Sequence, residues 1–266
     1  MNWKQLISAK RFGMEEFHEE RQENRSEFQR DYDRLIFSAP FRRLQNKTQV
    51  FPLPGSVFVH NRLTHSLEVA SVGRSLGDDV AKALLERHPE LQDSFLPEIG
   101  SIVSAACLAH DLGNPPFGHS GEKAISTFFS EGKGVRLKEK QPNGEQLSPM
   151  EWEDLTHFEG NANAFRILTH QFEGRRKGGF VLTYTTLASI VKYPFSSSLA
   201  GTKSKFGFFI SEEESFQKIA TELGLTLLNE HPLKYARHPL VYLVEAADDI
   251  CYQMMDIEDA YKLKIL

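Results

Sequence analysis

A short stretch of the chain, residues 110–122, concentrates side chains that can bind a cation and move a proton. It reads HDLGNPPFGHSGE and contains two histidines, two carboxylates and three glycines. Imidazole and carboxylate groups are the ligands that divalent metals accept in sites without cysteine. His119 and Glu122 are three residues apart, so on a helix they share a face, and the carboxylate can hold the histidine in one tautomer for proton transfer. The stretch therefore predicts an active site that uses a metal.

Further ligands for such a cation must come from other segments. His65 lies at the N-terminal end of a predicted helix. Near the C-terminus, Asp248, Tyr252 and Asp256 follow each other at four-residue spacing and form one polar stripe on a predicted helix. The neighbouring Asp249 competes with Asp248 for the role of ligand. Its stripe is less coherent, so the spacing favours Asp248, although sequence alone does not decide between them.

Helices are predicted to position these residues. Residues 98–108 form an apolar run with helical spacing that brings His110 and Asp111 to its last turn. Gly113 is expected to adopt a left-handed cap, and the two prolines that follow Asn114 cannot continue the helix. The metal ligands are therefore expected at the end of a rigid element.

The rest of the chain also has helical patterns. They cover residues 118–129, 151–172, 181–195 and 238–265, and the segment SEEE at 211–214 predicts a capping box that opens another helix. Residues 131–150 and 196–207 are polar loops, of which the second is a candidate lid. No strand-like alternation of useful length occurs. The predicted fold class is all-α.

Composition limits the functions to consider. The chain has 266 residues, 40% hydrophobic and 25% charged, and a net charge of -5, which gives no global reason to bind nucleic acid or an anionic membrane. Its two cysteines fall in apolar helical patterns, as expected for a reducing compartment. The N-terminus lacks the apolar segment of a signal peptide, and no run is long enough to span a membrane. We expect a cytoplasmic protein with a charged helical arm over residues 1–30.

Five extended segments carry a resemblance to a known family. His65, the His110-Asp111 pair and a distant aspartate match the H…HD…D signature of the HD-domain phosphohydrolase superfamily. More narrowly, the chain resembles the deoxyguanosinetriphosphate triphosphohydrolases (dGTPases) in the segments RRLQNKTQVFP, NRLTHSLEV, HDLGNPPFGHSGE, HFEGNANAFR and EAADDICYQMMDIEDA. An isolated HD pair is a weak signal, but five motifs in the same order are very specific. The resemblance implies an HD-type helical bundle over residues 31–266, with the metal site between helices.

The resemblance also implies an activity and a set of site residues. Family members hydrolyse dGTP, and in some cases other dNTPs, to the deoxynucleoside and inorganic triphosphate by attack of water at the α-phosphorus. By residue-by-residue matching, the metal ligands are His65, His110, Asp111 and Asp248, and the catalytic pair is His119 and Glu122. The matching nucleotide-binding positions are Gln49, Arg62, His157, Asn161, Lys192, Tyr193, Tyr252 and Asp256. Mn²⁺ or Mg²⁺ is the expected metal, with Fe, Co, Ni and Zn as open alternatives.

Other functions are compatible with these motifs, and the resemblance also implies partners. Another HD-type nucleotidase or phosphodiesterase, or a non-catalytic nucleotide-binding protein, would share the metal box. The resemblance further predicts that the family's C-terminal helices are absent from this chain. It implies a homo-oligomer, by resemblance a hexamer, and single-stranded DNA as a further partner, with no membrane partner.

Overall fold

The computed structural model describes residues 2–16, 25–49, 60–139, 144–174, 177–201 and 204–265, and in these segments the protein is helical with one short hairpin. The prediction of an all-α fold is confirmed. The α-helices are α1 (Trp3–Leu6), α2 (Glu27–Ile36), α3 (Ala39–Arg43), α4 (Arg62–Arg87), α5 (Ile99–Ala109), α6 (Gly118–Ser130), α7 (Pro149–Thr156), α8 (Gly160–Thr169), α9 (Tyr184–Ile190), α10 (Glu213–Glu222) and α11 (Val241–Lys262). Strands β1 (Leu227–Asn229) and β2 (Lys234–Tyr235) pair antiparallel. Among the described residues, no helix is both long and apolar enough to cross a membrane.

Helix α5 lies at the centre of the core. Its sequence, IGSIVSAACLA, has no charged residue, and every one of its residues is buried. It packs against α2, α4 and α9, with the most extensive contact along α4. At the crossing with α4, a Cβ on Gly77 would lie 2.7 Å from the Cα of Gly100, so the two backbones approach too closely for any larger residue. This packing fixes the position of the residues that follow α5.

Helix α11 crosses the same core and contacts α4, α5 and α9. One of its faces is buried through Val244, Ala247, Cys251 and Met255, while the opposite face is exposed. An amphipathic helix of this kind buries its apolar stripe and leaves its other side to solvent. Asp248 lies at the border of the two faces, where it reaches the end of α5.

The predicted helical arm over residues 1–30 differs from the structure in its first half. Helix covers only Trp3–Leu6 there, residues 7–16 are not helical, and α2 begins at Glu27. The backbone of this segment pairs with residues 182–184: Phe12 N donates to Leu182 O, and Tyr184 N donates to Lys10 O. Tertiary pairing therefore replaces the local helix that the charge pattern suggested. Residues 17–24 lie outside the described residues, and the domain boundary at residue 31 stays a prediction.

The predicted capping box at residues 211–214 is wrong. Ser211 lies inside a short 3-10 helix, Ile210–Glu212, and α10 begins only at Glu213 without a side-chain cap. The Ser211 hydroxyl accepts from Arg166 at 2.8 Å and donates to Glu212 at 2.8 Å. The serine therefore joins the ion pair between Glu212 and Arg166 of α8, a contact that sequence spacing does not reveal.

Candidate metal centre and cleft

Three side chains from two helices converge at one end of α5. The ligand atoms of His65, His110 and Asp111 all lie within 4.8 Å of one another, close enough to hold one metal ion. His65 is in the first turn of α4, which starts at a capping box formed by Asn61 and Thr64. His110 and Asp111 directly follow the last turn of α5. Two well-anchored helix ends therefore position this cluster.

The nitrogen Nε2 of His110 shows that the cluster fits a cation. His110 Nδ1 donates a hydrogen bond to the carbonyl of Cys107 at 2.6 Å, so the neutral form of the ring has its lone pair on Nε2. In the part of the chain that the structure describes, this Nε2 is buried and has no hydrogen-bond partner. It lies 3.6 Å from a carboxylate oxygen of Asp111 and 3.6 Å from one of Asp248. Burial acts to lower the pKa of His110, but the charges of Asp111 and Asp248 raise it, so this position favours a positive charge. The donor set around it suits a divalent metal.

Asp248 lies at the cluster, whereas Asp249 is exposed on the outer side of α11. The Oδ1 atom of Asp248 is 3.0 Å from His65 Nε2. Burial acts to raise the pKa of Asp248, but the nearby His110 and the hydrogen bond with His65 outweigh burial and lower that pKa to about 2. The carboxylate is therefore charged at neutral pH, as a metal ligand must be.

Asp111 is held by two neighbours. Its Oδ2 accepts from Arg62 at 2.6 Å, and its Oδ1 accepts from the amide of Asn114. Burial acts against the charged form, yet the charges of His110 and Arg62 lower the pKa of Asp111. Arg62 is itself only 7% exposed, and its guanidinium is held in the ion pair with Asp111.

The segment between the two histidines forms a tight elbow, but not in the predicted way. Gly113 does not have a positive φ. Its Cβ would instead lie 2.0 Å from the Gly160 carbonyl oxygen and 2.2 Å from the Ala164 nitrogen, so glycine is required by the close approach of α8. The left-handed residues are Phe117, with φ 67, and Gly118, with φ 52. These two reverse the chain and begin α6.

His119 and Glu122 form a hydrogen-bonded pair on α6, as their spacing predicts. His119 Nδ1 is 2.7 Å from Glu122 Oε2, while Glu122 Oε1 accepts from Gly160 N at 2.8 Å. The glutamate side chain is 11% exposed and the histidine side chain 85% exposed. The carboxylate thus holds Nδ1–H, which leaves Nε2 of His119 free to exchange a proton with a bound molecule.

A cleft of about 500 Å³ opens over the cluster and this pair. Six of the eight predicted nucleotide-binding residues line it: Gln49, Arg62, Asn161, Lys192, Tyr193 and Tyr252. His157 and Asp256 are not among its lining residues. The predicted helix over residues 151–172 is broken at 157–159, and His157 caps the C-terminal end of α7 with its ring against Glu153 at 3.1 Å. Asp256 lies one turn beyond Tyr252, past the edge of the cleft.

Several residues that line the cleft are not among the site residues predicted from the sequence. Lys205, from the polar loop 196–207, contacts Glu159 at 2.7 Å and lies 3.7 Å from Glu122. Glu245 pairs with Lys192 at 2.9 Å; burial lowers the pKa of this lysine, but the hydrogen bond with Glu245 and its charge raise it overall. Asn114, Phe117 and Ser120 also line the cleft. Glu245 could have been found, because it lies one helical turn before Asp248. For Lys205 the only signal was the candidate lid at 196–207 that contains it.

Comparison with known proteins agrees with this geometry. The sequence profile of the HD domain matches residues 62–178, which include His65 and the His110-Asp111 pair. The chain is therefore an HD-domain protein. It is 45% identical to a deoxyguanosinetriphosphate triphosphohydrolase-like protein of Synechocystis sp., 46% identical to one of Pseudomonas aeruginosa and 37% identical to a deoxyguanosinetriphosphate triphosphohydrolase of Yersinia enterocolitica, with 100% of this chain aligned in each case. It belongs to the dGTPase family of the HD superfamily. The chain spans 61%, 58% and 56% of the length of these relatives, respectively.

Proposed function

We propose that this chain is a metal-dependent phosphohydrolase that converts dGTP to deoxyguanosine and inorganic triphosphate. The observation that carries the proposal is the buried Nε2 of His110, which has no hydrogen-bond partner among the described residues and faces two carboxylates at the floor of a cleft. The name of the Yersinia relative, whose alignment includes the whole of this chain, supports the same substrate class here. The volume of the cleft lies within the range of about 300–1,000 Å³ that small-molecule sites occupy.

The metal ligands in this proposal are His65, His110, Asp111 and Asp248. Two neutral imidazoles and two carboxylates form a mixed donor set that favours Mn²⁺ or Mg²⁺ in an open site. A divalent cation held there supplies charge that neutralises the phosphate oxygens and polarises a water molecule. Two of the ligands also have a second contact that orients them: Arg62 holds Asp111, and the Cys107 carbonyl holds His110.

His119 carries the proton transfer. Water attacks the α-phosphorus, the bond from phosphorus to the 5′ oxygen breaks, and the water oxygen stays on the triphosphate. The 5′ oxygen leaves with one proton, so one proton must leave the water and one must reach the sugar. Because Glu122 holds Nδ1–H of His119 at 2.7 Å, the exchange takes place at Nε2.

Two lysines and a tyrosine bind the rest of the substrate. Lys192 and Lys205 line the cleft, and each is paired with a glutamate, so each is charged and oriented before substrate arrives. Ammonium groups of this kind bind phosphate oxygens as point charges. Tyr252, 47% exposed on the cleft wall, is available to pack against the deoxyribose. Homo-oligomer formation and binding of single-stranded DNA stay predictions.

Product analysis tests the proposal. The chain is incubated with Mn²⁺ or Mg²⁺ and with each of the four dNTPs and GTP, and the products are separated by anion-exchange chromatography. We expect deoxyguanosine and intact triphosphate from dGTP. Formation of dGMP and pyrophosphate would instead indicate a different HD-type hydrolase. Metal binding without turnover of any nucleotide would indicate a non-catalytic nucleotide-binding protein.

Two adjacent aspartates provide a matched pair of variants. Asp248→Ala removes a carboxylate 3.0 Å from His65 and should abolish both metal binding and turnover. Asp249→Ala removes the exposed neighbour one residue further and should leave both unchanged. Equal losses in the two variants would contradict the proposed ligand set.

A further inference from the structure

The second nitrogen of His65 has an unusual partner. Its Nδ1 atom lies 3.3 Å from the sulfur of Met255, at a distance where a thioether accepts a hydrogen bond. Met255 is 5% exposed and projects from the buried face of α11. The contact is therefore shielded from water, so no solvent molecule competes with the weak sulfur acceptor for Nδ1.

Metal-binding histidines generally donate their other N–H to a carboxylate, a backbone carbonyl or a water. His110 follows this rule through the Cys107 carbonyl at 2.6 Å. His65 differs, because its Nδ1 meets a sulfur that has lone pairs but no proton to give. In this contact Nδ1 must be the donor for a hydrogen bond to form. When a cation displaces the proton that Nε2 shares with Asp248, that arrangement leaves the lone pair of His65 on Nε2 for the cation.

Helix α11 contacts both nitrogens of the same ring. Asp248 lies 3.0 Å from Nε2 and Met255 lies 3.3 Å from Nδ1. The two residues are seven apart, which is about two helical turns, so they lie on one side of the helix. The His65 side chain between them is 1% exposed. The ring is thus held from both edges by one rigid element.

We propose that Met255 is a positioning residue for the metal centre: its thioether accepts the Nδ1–H of His65 and keeps Nε2 available to the cation. The proposal builds on the metal-dependent function above. A thioether is a weaker acceptor than a carbonyl oxygen, so Met255 orients His65 while making it a less basic ligand than His110. Replacing the sulfur should therefore change metal affinity without changing any ligand.

Three variants separate orientation from packing. Met255→Leu keeps most of the volume, as core exchanges between Met and Leu generally do, but removes the acceptor. Met255→Gln places an amide oxygen near the same position. Met254→Leu is the matched control, because Met254 is the adjacent residue and is 68% exposed. Mn²⁺ affinity is measured by titration calorimetry on the whole chain.

We expect Met255→Leu to bind Mn²⁺ about 10-fold more weakly, at the lower end of the range for lost second contacts of metal ligands. Met255→Gln should recover most of that loss, and Met254→Leu should match the unchanged protein. Equal affinity in all four proteins would overturn the role of Met255 while leaving metal binding intact. Absence of Mn²⁺ binding by the unchanged protein would overturn both this role and the proposed metal-dependent function.

A spectroscopic readout tests the hydrogen bond directly. In protein labelled with ¹⁵N-histidine and loaded with diamagnetic Zn²⁺, the His65 ring should show a protonated Nδ1 and a metal-shifted Nε2. Its signals are assigned by their loss in His65→Gln. Met255→Leu should shift the Nδ1 resonance, whereas Met254→Leu should not. A ring bound to zinc through Nδ1, or an Nδ1 resonance unchanged in Met255→Leu, would refute the proposal even if dGTP hydrolysis is observed.

Discussion

Replacement of Glu122 by glutamine tests how strongly proton transfer depends on the His119–Glu122 pair. The glutamate carboxylate accepts two hydrogen bonds, one from His119 Nδ1 at 2.7 Å and one from the backbone of Gly160 at 2.8 Å. A glutamine keeps one oxygen for Gly160, so the contact between α6 and α8 survives. Its amide nitrogen would face His119, and an N–H group cannot accept from Nδ1–H. The substitution therefore removes the hydrogen bond that selects the tautomer, together with the negative charge 3.7 Å from Lys205.

The size of the effect follows from the geometry. A hydrogen bond to a charged group contributes about 1.5–3 kcal/mol. The His119 side chain is 85% exposed, which weakens electrostatic interactions, so we use the lower half of that range, about 1.5–2 kcal/mol. Since about 1.4 kcal/mol corresponds to a factor of ten, kcat for dGTP should fall about 10- to 30-fold. His119→Ala removes the proton-exchanging group itself and should cost about 10²- to 10⁴-fold.

A double-mutant cycle provides the assay. Steady-state kcat is measured at saturating dGTP and Mn²⁺ for Glu122→Gln, His119→Ala and the double variant. If Glu122 acts through His119, the double variant is as slow as His119→Ala alone. If Glu122→Gln lowers kcat by the same factor in the unchanged protein and in His119→Ala, the pairing is refuted. Glu90→Gln is the control, because Glu90 forms an exposed pair with His88 at 3.1 Å outside the cleft.

Three further predictions concern stability. Asp31→Asn should destabilise the fold by about 1.5–3 kcal/mol in urea unfolding, because it removes a fully buried carboxylate 2.7 Å from Arg11, which keeps its ion pair with Glu27. Burial lowers the pKa of His238 to about 4, so unfolding free energy should fall by about 3 kcal/mol between pH 6.5 and pH 4, and His238→Gln should flatten this profile. Gly113→Ala should lower both stability and Mn²⁺ affinity, since its Cβ would lie 2.0 Å from the Gly160 carbonyl oxygen and displace α8 from the ligand turn.

Exposed positions supply the controls for these measurements. Asp33→Asn, in an ion pair with Arg25 whose partners are both more than a third exposed, should cost less than about 1 kcal/mol. Gly144→Ala, whose Cβ would meet no described residue within 4 Å but whose φ is +88, should lose about 1–2 kcal/mol and no metal affinity. Asp31→Asn as mild as Asp33→Asn would contradict the role of burial. A pH profile unchanged by His238→Gln would assign the acid sensitivity to other groups.

Local periodicity accounts for much of the fold. The apolar run of α5 and its end before His110 follow from helical spacing and from the prolines that stop it. The pairing of His119 with Glu122 follows from three-residue spacing on one helix. Even the preference for Asp248 over Asp249 came from the stripe that each residue forms along α11. These features depend on residues that are near each other in sequence.

Features that join distant segments were not predictable in this way. Gly113 is needed because α8 passes close to it, not because of a left-handed turn. Lys205 reaches the cleft from a polar loop with no motif of its own. His157 falls outside the cleft because Glu159 caps a new helix and breaks the predicted one. Each of these outcomes was decided by packing or capping contacts that spacing alone does not encode.

By itself, then, the amino-acid sequence determined many of the helices, the residue types of the proposed metal ligands and the spacing of His119 and Glu122, because hydrophobic period and residue chemistry are local properties. The tertiary structure decided how those parts meet. Only the packing of α11 across α4 and α5 brings Asp248 and Met255 to opposite edges of the His65 ring and leaves Nε2 of His110 buried between two carboxylates. Burial and distance are properties of the folded chain, and in this protein they turn a two-histidine motif into a site that fits a divalent cation.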